Sequence, residues 1–333
     1  MPRLPRTIAL ALILAFLIAN SAASAQQVAT LQIAEVSKTA GEWATYVATE
    51  LGYFKRYNVD PQPVVVGSAS ATVQQLLAGA ADVAESSPTQ VVESITNGAQ
   101  VHDICERMTS APYAFVGAKQ VHSYRDLKGK TVIIGGPTDI TVIFTEKMFA
   151  TEGVKMSDVN FTYAGGTTER YAALLSGGVA AAILFPPFDS RAAEQGYPVL
   201  GTLPPVLPQF DFLGWVVTDK FAQEHADVLV RFLKGYLRGV RWLNDPKNKA
   251  QAIAILSKNT NTVPGDAAKT YDAFVGKNKL FSATGITDAK SYETVRDALI
   301  QIKVISPPGL PASKFFDNRL VQQANAELAR EGP

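Results

Sequence analysis

The sequence predicts an α/β fold of the doubly wound type, and three observations carry that expectation. Residues 126–149 read DLKGKTVIIGGPTDITVIFTEKMF: the apolar β-branched run Thr131–Ile134 is broken by Gly135-Gly136-Pro137 before Ile140, Phe144 and Met148 recur at helical spacing. The first quarter of the chain holds three further strand-turn-helix junctions, each with hydroxyl residues where the helix begins. After residue 149 the alternation resumes, bringing such junctions to six within fewer than two hundred residues. At each junction the first N–H groups of a helix point outward, unpaired, with the positive end of the helix dipole behind them. In an open, mostly parallel sheet these helix starts gather along the carboxyl edge of the strands, where ligands bind.

Taken in order, residues 31–36 form the first strand. Ser37-Lys38-Thr39-Ala40-Gly41 leads into a helix whose Trp43, Tyr46, Val47, Leu51 and Phe54 share a face, terminated by Asn58 in the left-handed region. Residues 63–66 read as a buried strand closed by Gly67-Ser68-Ala69-Ser70, and Val73, Leu76 and Leu77 make a short helix that stops at Gly79. Residues 82–85 are a third strand; Ser87 is an N-cap, Pro88 takes the first helical position, and Gln90 completes a capping box. Strands over 101–107 and 113–118 lead to the 126–149 stretch, at whose helix mouth stand Thr138, Asp139 and Thr141. Gly153 ends that helix and Asn160–Tyr163 is a strand. Gly165-Gly166-Thr167-Thr168 opens a helix with Leu174 and Leu175, and residues 180–185 are an apolar strand stopped by Pro186-Pro187. Beyond residue 212 come the strand Leu213–Thr218, a long amphipathic helix over 228–243 capped by Asp227, and a mostly helical remainder with loops at 262–265 and 306–311.

The 333 residues, 47% of them hydrophobic, suffice for a sizeable core and suggest two domains. Residues 1–25 stand apart. Arg3 and Arg6 precede an apolar run over 8–19, and Ala23-Ser24-Ala25 supplies small residues: the anatomy of an export signal cleaved after Ala25. The run is shorter than the about 20 residues a membrane span needs, so the mature chain from Gln26 is expected to be exported and soluble. Without Arg3 and Arg6 the 31 basic residues become 29, against 30 acidic ones; with no basic stripe, this argues against a nucleic-acid partner. Cys105, the one cysteine, cannot form an internal disulfide and sits in an apolar context, as a buried hydrophobe rather than a nucleophile.

Four phrases, Glu50-Leu51-Gly52-Tyr53-Phe54, Leu76-Leu77-Ala78-Gly79-Ala80-Ala81-Asp82, Asp126-Leu127-Lys128-Gly129-Lys130 and Ala172-Ala173-Leu174-Leu175-Ser176-Gly177, carry a resemblance by their order and spacing. The chain resembles the periplasmic solute-binding proteins of ABC importers, in the SsuA/THI5-like, NMT1-like branch that handles sulfonates, nitrate, taurine and thiamine-pyrimidine precursors. The resemblance covers nearly all of the chain after residue 25. It implies the type II periplasmic-binding-protein fold: two α/β lobes, each a doubly wound, mostly parallel sheet, joined by crossover strands near 109–111 and 209–212. Lobe one then comprises residues 26–110 and 212–333, and lobe two residues 111–211. It further implies a periplasmic monomer that closes on a small molecule, needs no cofactor and delivers its ligand to an inner-membrane permease.

By position, the resemblance assigns ligand contacts to the loops that follow strands. These are Ser37 and Trp43 after the first strand, Ser68 and Ser70 after the second, Ser86 and Ser87 after the third, Thr138, Asp139 and Thr141 in lobe two, and Phe185 after its later strand. Trp43 reads either as a flat wall for a ligand or as a core residue of its helix. Arg107 and Lys38, near strand ends, are candidates to neutralise an anionic head; Arg170 is a further candidate or a solvated charge. Asp139 in the pocket would repel a bare anion such as nitrate, which points to an organic molecule with polar and apolar parts. The chain departs from the family pattern at Val179-Ala180-Ala181, where many relatives carry an acidic residue, and at Phe185-Pro186-Pro187-Phe188, where pyrimidine binders carry Trp-Glu-Pro. The missing glutamate removes a partner for an aminopyrimidine and favours an acidic ligand with an apolar or aromatic body.

Two other functions compete. The pyrimidine-precursor enzyme that resembles these binders uses histidine and a cysteine-rich motif, whereas this chain has one cysteine, and His102, His122 and His225 are widely spread. His102 and Cys105, three apart on a strand, point to opposite faces and cannot pair as metal ligands. No Gly-x-Ser-x-Gly elbow, Walker loop or dinucleotide fingerprint occurs. A periplasmic sensor that presents its ligand-bound form to a membrane receptor would share every feature named above with an importer component.

Overall fold

A computed structural model describes residues 27–206, 211–277 and 279–332; the expected export signal over 1–25 and part of the second expected crossover lie outside these. The strands are β1 (Ala29–Glu35), β2 (Val59–Val65), β3 (Val83–Ser86), β4 (Val101–Met108), β5 (Ala114–Gly117), β6 (Thr131–Ile134), β7 (Asn160–Tyr163), β8 (Ala181–Leu184), β9 (Val199–Thr202) and β10 (Leu213–Thr218). They form two five-stranded sheets, ordered β2-β1-β3-β10-β4 and β7-β6-β8-β5-β9. In the first, β1 pairs in parallel with β2 and β3, while β10 runs antiparallel to both β3 and β4. Four strands therefore share one direction and β10 opposes them. The second sheet repeats the scheme with β5 as the opposed strand. The doubly wound character is what the alternation of elements indicates, and the two mostly parallel sheets are what the family resemblance implies. The chain passes from first sheet to second between Met108 and Ala114, and returns between Thr202 and Leu213.

Helices cover the sheet faces: α1 (Trp43–Glu50), α2 (Ala69–Leu77), α3 (Pro88–Thr96), α4 (Ile140–Ala150), α5 (Thr167–Leu175), α6 (Phe188–Glu194), α7 (Ala226–Leu243), α8 (Lys249–Thr260), α9 (Pro264–Tyr271), α10 (Ala289–Gln301) and α11 (Arg319–Glu331). Where both faces are covered a strand is apolar along its whole length, as in β8, which is buried at every residue. The edge strand β2 is not. Val64 and Val65 are 51% and 45% exposed, against the expectation of burial, since an apolar run cannot say whether a strand is central or marginal.

Three helix boundaries also differ from the sequence pattern. The helix expected over 43–54 is two pieces, because Gly52 takes a left-handed φ of 73° after α1 and a short helix, Tyr53–Arg56, restarts beyond it. Asn58 is left-handed as expected, with φ 52°. Asp227 is no cap: α7 begins one residue earlier, directly after the short helix Asp219–Glu224, and Asp227 instead pairs with Arg231 one turn on, at 3.3 Å. Within the loop expected over 262–265, Pro264 already starts α9, proline being suited to a first helical position. Helix α6 and strand β9 carry no signal strong enough to have been read.

The two lobes touch. Ala40 N–H donates to Pro186 O at 3.3 Å, and Lys269 of α9 pairs with Glu194 of α6 at 2.6 Å. Gly165 packs directly on the Gly67-Ser68 turn of the first lobe: a Cβ there would run into Ser68 Cβ and come within 2.6 Å of Gly67 O.

Candidate functional site

The carboxyl ends of β1, β3, β6 and β8 face one another across the lobe junction, and the residues that follow them line a pocket. It encloses about 490 Å³ outside protein atoms, including a part open to solvent. Lobe one contributes Val36, Ser37, Thr39, Ala69, Glu85 and Ser87; lobe two contributes Asp139, Ile140, Gly165, Thr167, Arg170 and Phe185. Tyr113, Phe212 and Leu213, from the ends of the connecting passages, complete it. The starts of α2, α3, α4 and α5 all reach this space, so four helix dipoles present their positive ends to it.

Local hydrogen bonds fix the walls. Asp139 caps α4: its Oδ1 accepts from Thr141 N–H at 2.9 Å and from the Thr141 hydroxyl at 2.6 Å, while Thr141 Oγ1 accepts from Gly135 N–H at 2.8 Å. Gly135 must lack a side chain, since a Cβ would strike Asp139 Oδ1 and lie 3.0 Å from Thr141 Oγ1. Thr167 Oγ1 accepts from Phe185 N–H at 3.0 Å and so ties α5 to the end of β8. Ser87 occupies the N-cap position of α3, but the expected capping box does not form. Its hydroxyl bonds Thr89 Oγ1 at 2.9 Å, and the Gln90 amide donates forward to the Glu93 carboxylate at 3.2 Å, a charged acceptor that outcompetes the cap.

One wall is aromatic. Tyr113 stands edge-on to Phe185 and Phe212, with ring centroids 5.2 Å and 5.5 Å away, and those two stack at 5.5 Å. Burial pushes the Tyr113 phenol up to about 12, so it is a neutral donor at ordinary pH.

Two arginines lie close by, and of these candidates the pocket takes Arg170 and not Arg107. Arg170 is buried on the pocket wall. Its Nε donates to Ile183 O at 2.8 Å, and its Nη1 to Ala164 O and Gly165 O at 2.8 Å and 2.7 Å, beside the Tyr113 ring. Among the described residues no carboxylate forms an ion pair with it. Arg107 is fully buried behind the pocket: Nη2 donates to Glu42 Oε2 at 2.6 Å and to Gly41 O at 3.1 Å, and the guanidinium lies over Trp215, 3.9 Å from the ring centroid. Arg107 therefore neutralises protein carboxyls and does not reach the pocket. Lys38 is exposed and does not line it either.

Of the residues named from sequence, Ser37, Ser87, Asp139 and Phe185 meet in this pocket. Ser68 bonds Ser70 at 3.2 Å and the Ala71 N–H, and abuts Gly165 at the lobe contact; Ser70 is exposed. Ser86 and Thr141 are buried behind the wall, and Thr138 stands half-buried beside it. Trp43 is a core residue and not a ligand wall: it is fully buried, its indole N–H donates to Ala252 O at 3.0 Å, and its ring packs on Tyr271 and Phe274. Sequence reasoning missed Thr39, Glu85, Tyr113, Thr167 and Phe212. Thr167 was visible in the Gly-Gly-Thr-Thr phrase, whereas Tyr113 and Phe212 owe their place to the lobe crossings, which local patterns do not mark. Among the described residues no group of His, Cys, Asp and Glu side chains is arranged to hold a metal ion, and no helix is long and apolar enough to cross a membrane.

The family model described as NMT1/THI5 like matches residues 42–249. No curated protein matches the chain in sequence. Solved structures do match in fold. The periplasmic nitrate-binding protein NrtA from Synechocystis PCC 6803 aligns with a TM-score of 0.79 at 13% identity, over 92% of this chain and 91% of that one. The alkanesulfonate-binding protein SsuA from Xanthomonas axonopodis pv. citri, bound to MOPS, aligns at 0.73 and 15%, over 88% and 99%. A ligand-binding component of an ABC-type import system from Staphylococcus aureus, with zinc bound, aligns at 0.74 and 15%, over 89% and 99%. At these identities the likeness is one of fold, the two-lobed periplasmic-binding-protein type.

Proposed function

We propose that the protein captures a small organic acid between its lobes, and the premise is membership: this chain belongs to the NMT1/THI5-like family. It acts as a monomeric, periplasmic substrate-binding component of an ABC importer and delivers its ligand to a membrane permease. The fold neighbours named above are import or periplasmic binding proteins by their own descriptions, which supports a binding role over an enzymatic one.

The observation that carries the reading is Arg170. The buried Arg170 guanidinium bonds main-chain carbonyls and the Tyr113 phenol but no carboxylate among the described residues, and a ligand acid supplies the missing counter-ion. Helix starts on both lobes add to the pull on an anion, and the Tyr113, Phe185 and Phe212 rings favour an apolar or aromatic body. Asp139 also lines the pocket, which disfavours nitrate and other bare anions.

The test is a thermal-shift screen of the chain from Gln26 against alkyl and aryl sulfonates, aromatic carboxylates, nitrate, taurine and pyrimidines. A ligand at about 100 times its Kd adds about 2.7 kcal/mol of stability. An aryl or alkyl acid is expected to stabilise the wild type, and Arg170→Gln, folded by circular dichroism, to lose the shift. A protein that responds to no acid in the panel, or whose response survives Arg170→Gln, refutes the reading.

A further inference from the structure

Glu85 stands between the pocket and a buried charge cluster. It is 5% exposed and forms part of the pocket wall; its Oε2 accepts from Val36 N–H at 3.0 Å, and its Oε1 lies 3.8 Å from Arg107 Nη1. Behind it are the buried carboxyls of Glu35 and Glu42, and the Glu42 carboxyl is a hydrogen-bonding neighbour of both Glu35 and Glu85. Arg107 is the cation among them, and its direct ion pair is with Glu42, at 2.6 Å. Three carboxyls thus share one guanidinium, away from water.

Hydrogen bonds in the cluster are incomplete on both sides: the Tyr46 hydroxyl and Arg107 Nε and Nη1 have no acceptor among the described residues. Glu35 Oε1 and Glu42 Oε1 are both shut off from solvent, and neither receives a donor. Two carboxylates cannot satisfy each other, but a carboxylic acid donating to a carboxylate satisfies both oxygens with one proton. Three carboxyls around one cation call for a second proton, and Glu85, farther from Arg107 than Glu42 is, is placed to hold it. The other titratable groups facing Glu85 are the phenols of Tyr46 on α1 and Tyr113, with Asp139 and Arg170 across the pocket; the Tyr236 phenol on α7 lies beside Arg107 and Glu42. Burial first, and then the Glu42 charge, hold the Glu85 carboxyl well above the usual carboxylate range.

We propose that Glu85 faces the pocket as a neutral carboxylic acid and donates a hydrogen bond to the acidic head that Arg170 holds from the opposite lobe. The inference rests on the capture reading above and makes Glu85 a specificity-determining residue. Ionised, it would repel the head and favour a cation; neutral, it leaves Arg170 to set the sign of the site.

Infrared difference spectra test the proton without any ligand. Wild type minus Glu85→Gln at pH 7 is expected to carry the carbonyl band of a protonated acid; a difference made of carboxylate bands overturns the inference and leaves the capture reading standing. Calorimetry with benzenesulfonate tests the hydrogen bond. Glu85→Gln, a neutral donor of the same shape, is expected to bind within about twofold of wild type, and Glu85→Leu about tenfold more weakly. Tightening of about tenfold in Glu85→Gln reveals a repelling charge, and wild-type affinity in Glu85→Leu reveals no hydrogen bond; either overturns the inference. Failure of the wild type to bind benzenesulfonate removes the capture reading for aryl acids and the ligand half of this inference with it, while the infrared comparison still decides the proton.

Discussion

Trp43 and the two arginines show how far a side chain's role depends on partners distant in sequence. Helical spacing put Trp43 on an apolar face, which is correct, but could not say what that face meets. The answer arrives about two hundred residues later, with Ala252 on α8 and Tyr271 on α9. Trp43→Ala is therefore expected to cost about 3–5 kcal/mol in denaturant unfolding, as a large cavity in a core does, while the folded fraction still binds ligand. Arg107 was legible as a charge near a strand end, but its carboxyl partners are spread over three segments of chain. Arg170 sits one turn into α5, where helical position alone does not choose between pocket and solvent; the carbonyls of Ala164, Gly165 and Ile183 decide it.

At the scale of elements, local signals were read well where the determinant is local. Thr131–Ile134, Asn160–Tyr163 and Leu213–Thr218 are strands at the residues their patterns indicate, and Gly79 and Gly153 terminate helices with left-handed φ of 72° and 69°. Signals failed where a rival partner intervened, as at Gln90, or where the surroundings of a strand decide its exposure, as in β2. The meeting of the α5 start with the α2 start was not legible either, because it joins separate lobes. It rests on Gly165, which lies against Ser68 and Gly67 O. Gly165→Ala should leave each lobe folded and weaken ligand capture by about tenfold or more, since overpacking costs of about 1–3 kcal/mol fall on the closed form alone. Calorimetry against the wild type, with melting temperature as the control for folding, reads this out; unchanged affinity would show that closure tolerates a looser junction.

Across the whole molecule, buried acids set how stability responds to pH. Burial raises Asp103 to about 6 and Glu106 to about 7, although Tyr292 donates to the first and Ser282 bonds the second. Both groups hold protons more tightly folded than unfolded. Their contribution is thus complete below about pH 4 and is lost as pH rises through 6 and 7. Unfolding free energy is expected to fall between pH 5 and 8 in denaturant titrations, and Glu106→Gln to reduce that fall by on the order of 2 kcal/mol; an unchanged slope would remove Glu106 from the account. The first sheet's outer margin has a consequence of another kind. Asn58 O accepts from Ala29 N–H and Val66 N–H donates to Glu35 O, so even-numbered residues of β2 turn their amides toward β1. Pro61 and Pro63 then face outward, where a missing N–H costs the sheet nothing and denies a foreign chain the donors it would need. Half-exposed valines at an open margin invite strand addition and amyloid-like stacking, and two imino acids in alternate positions keep this margin from being extended.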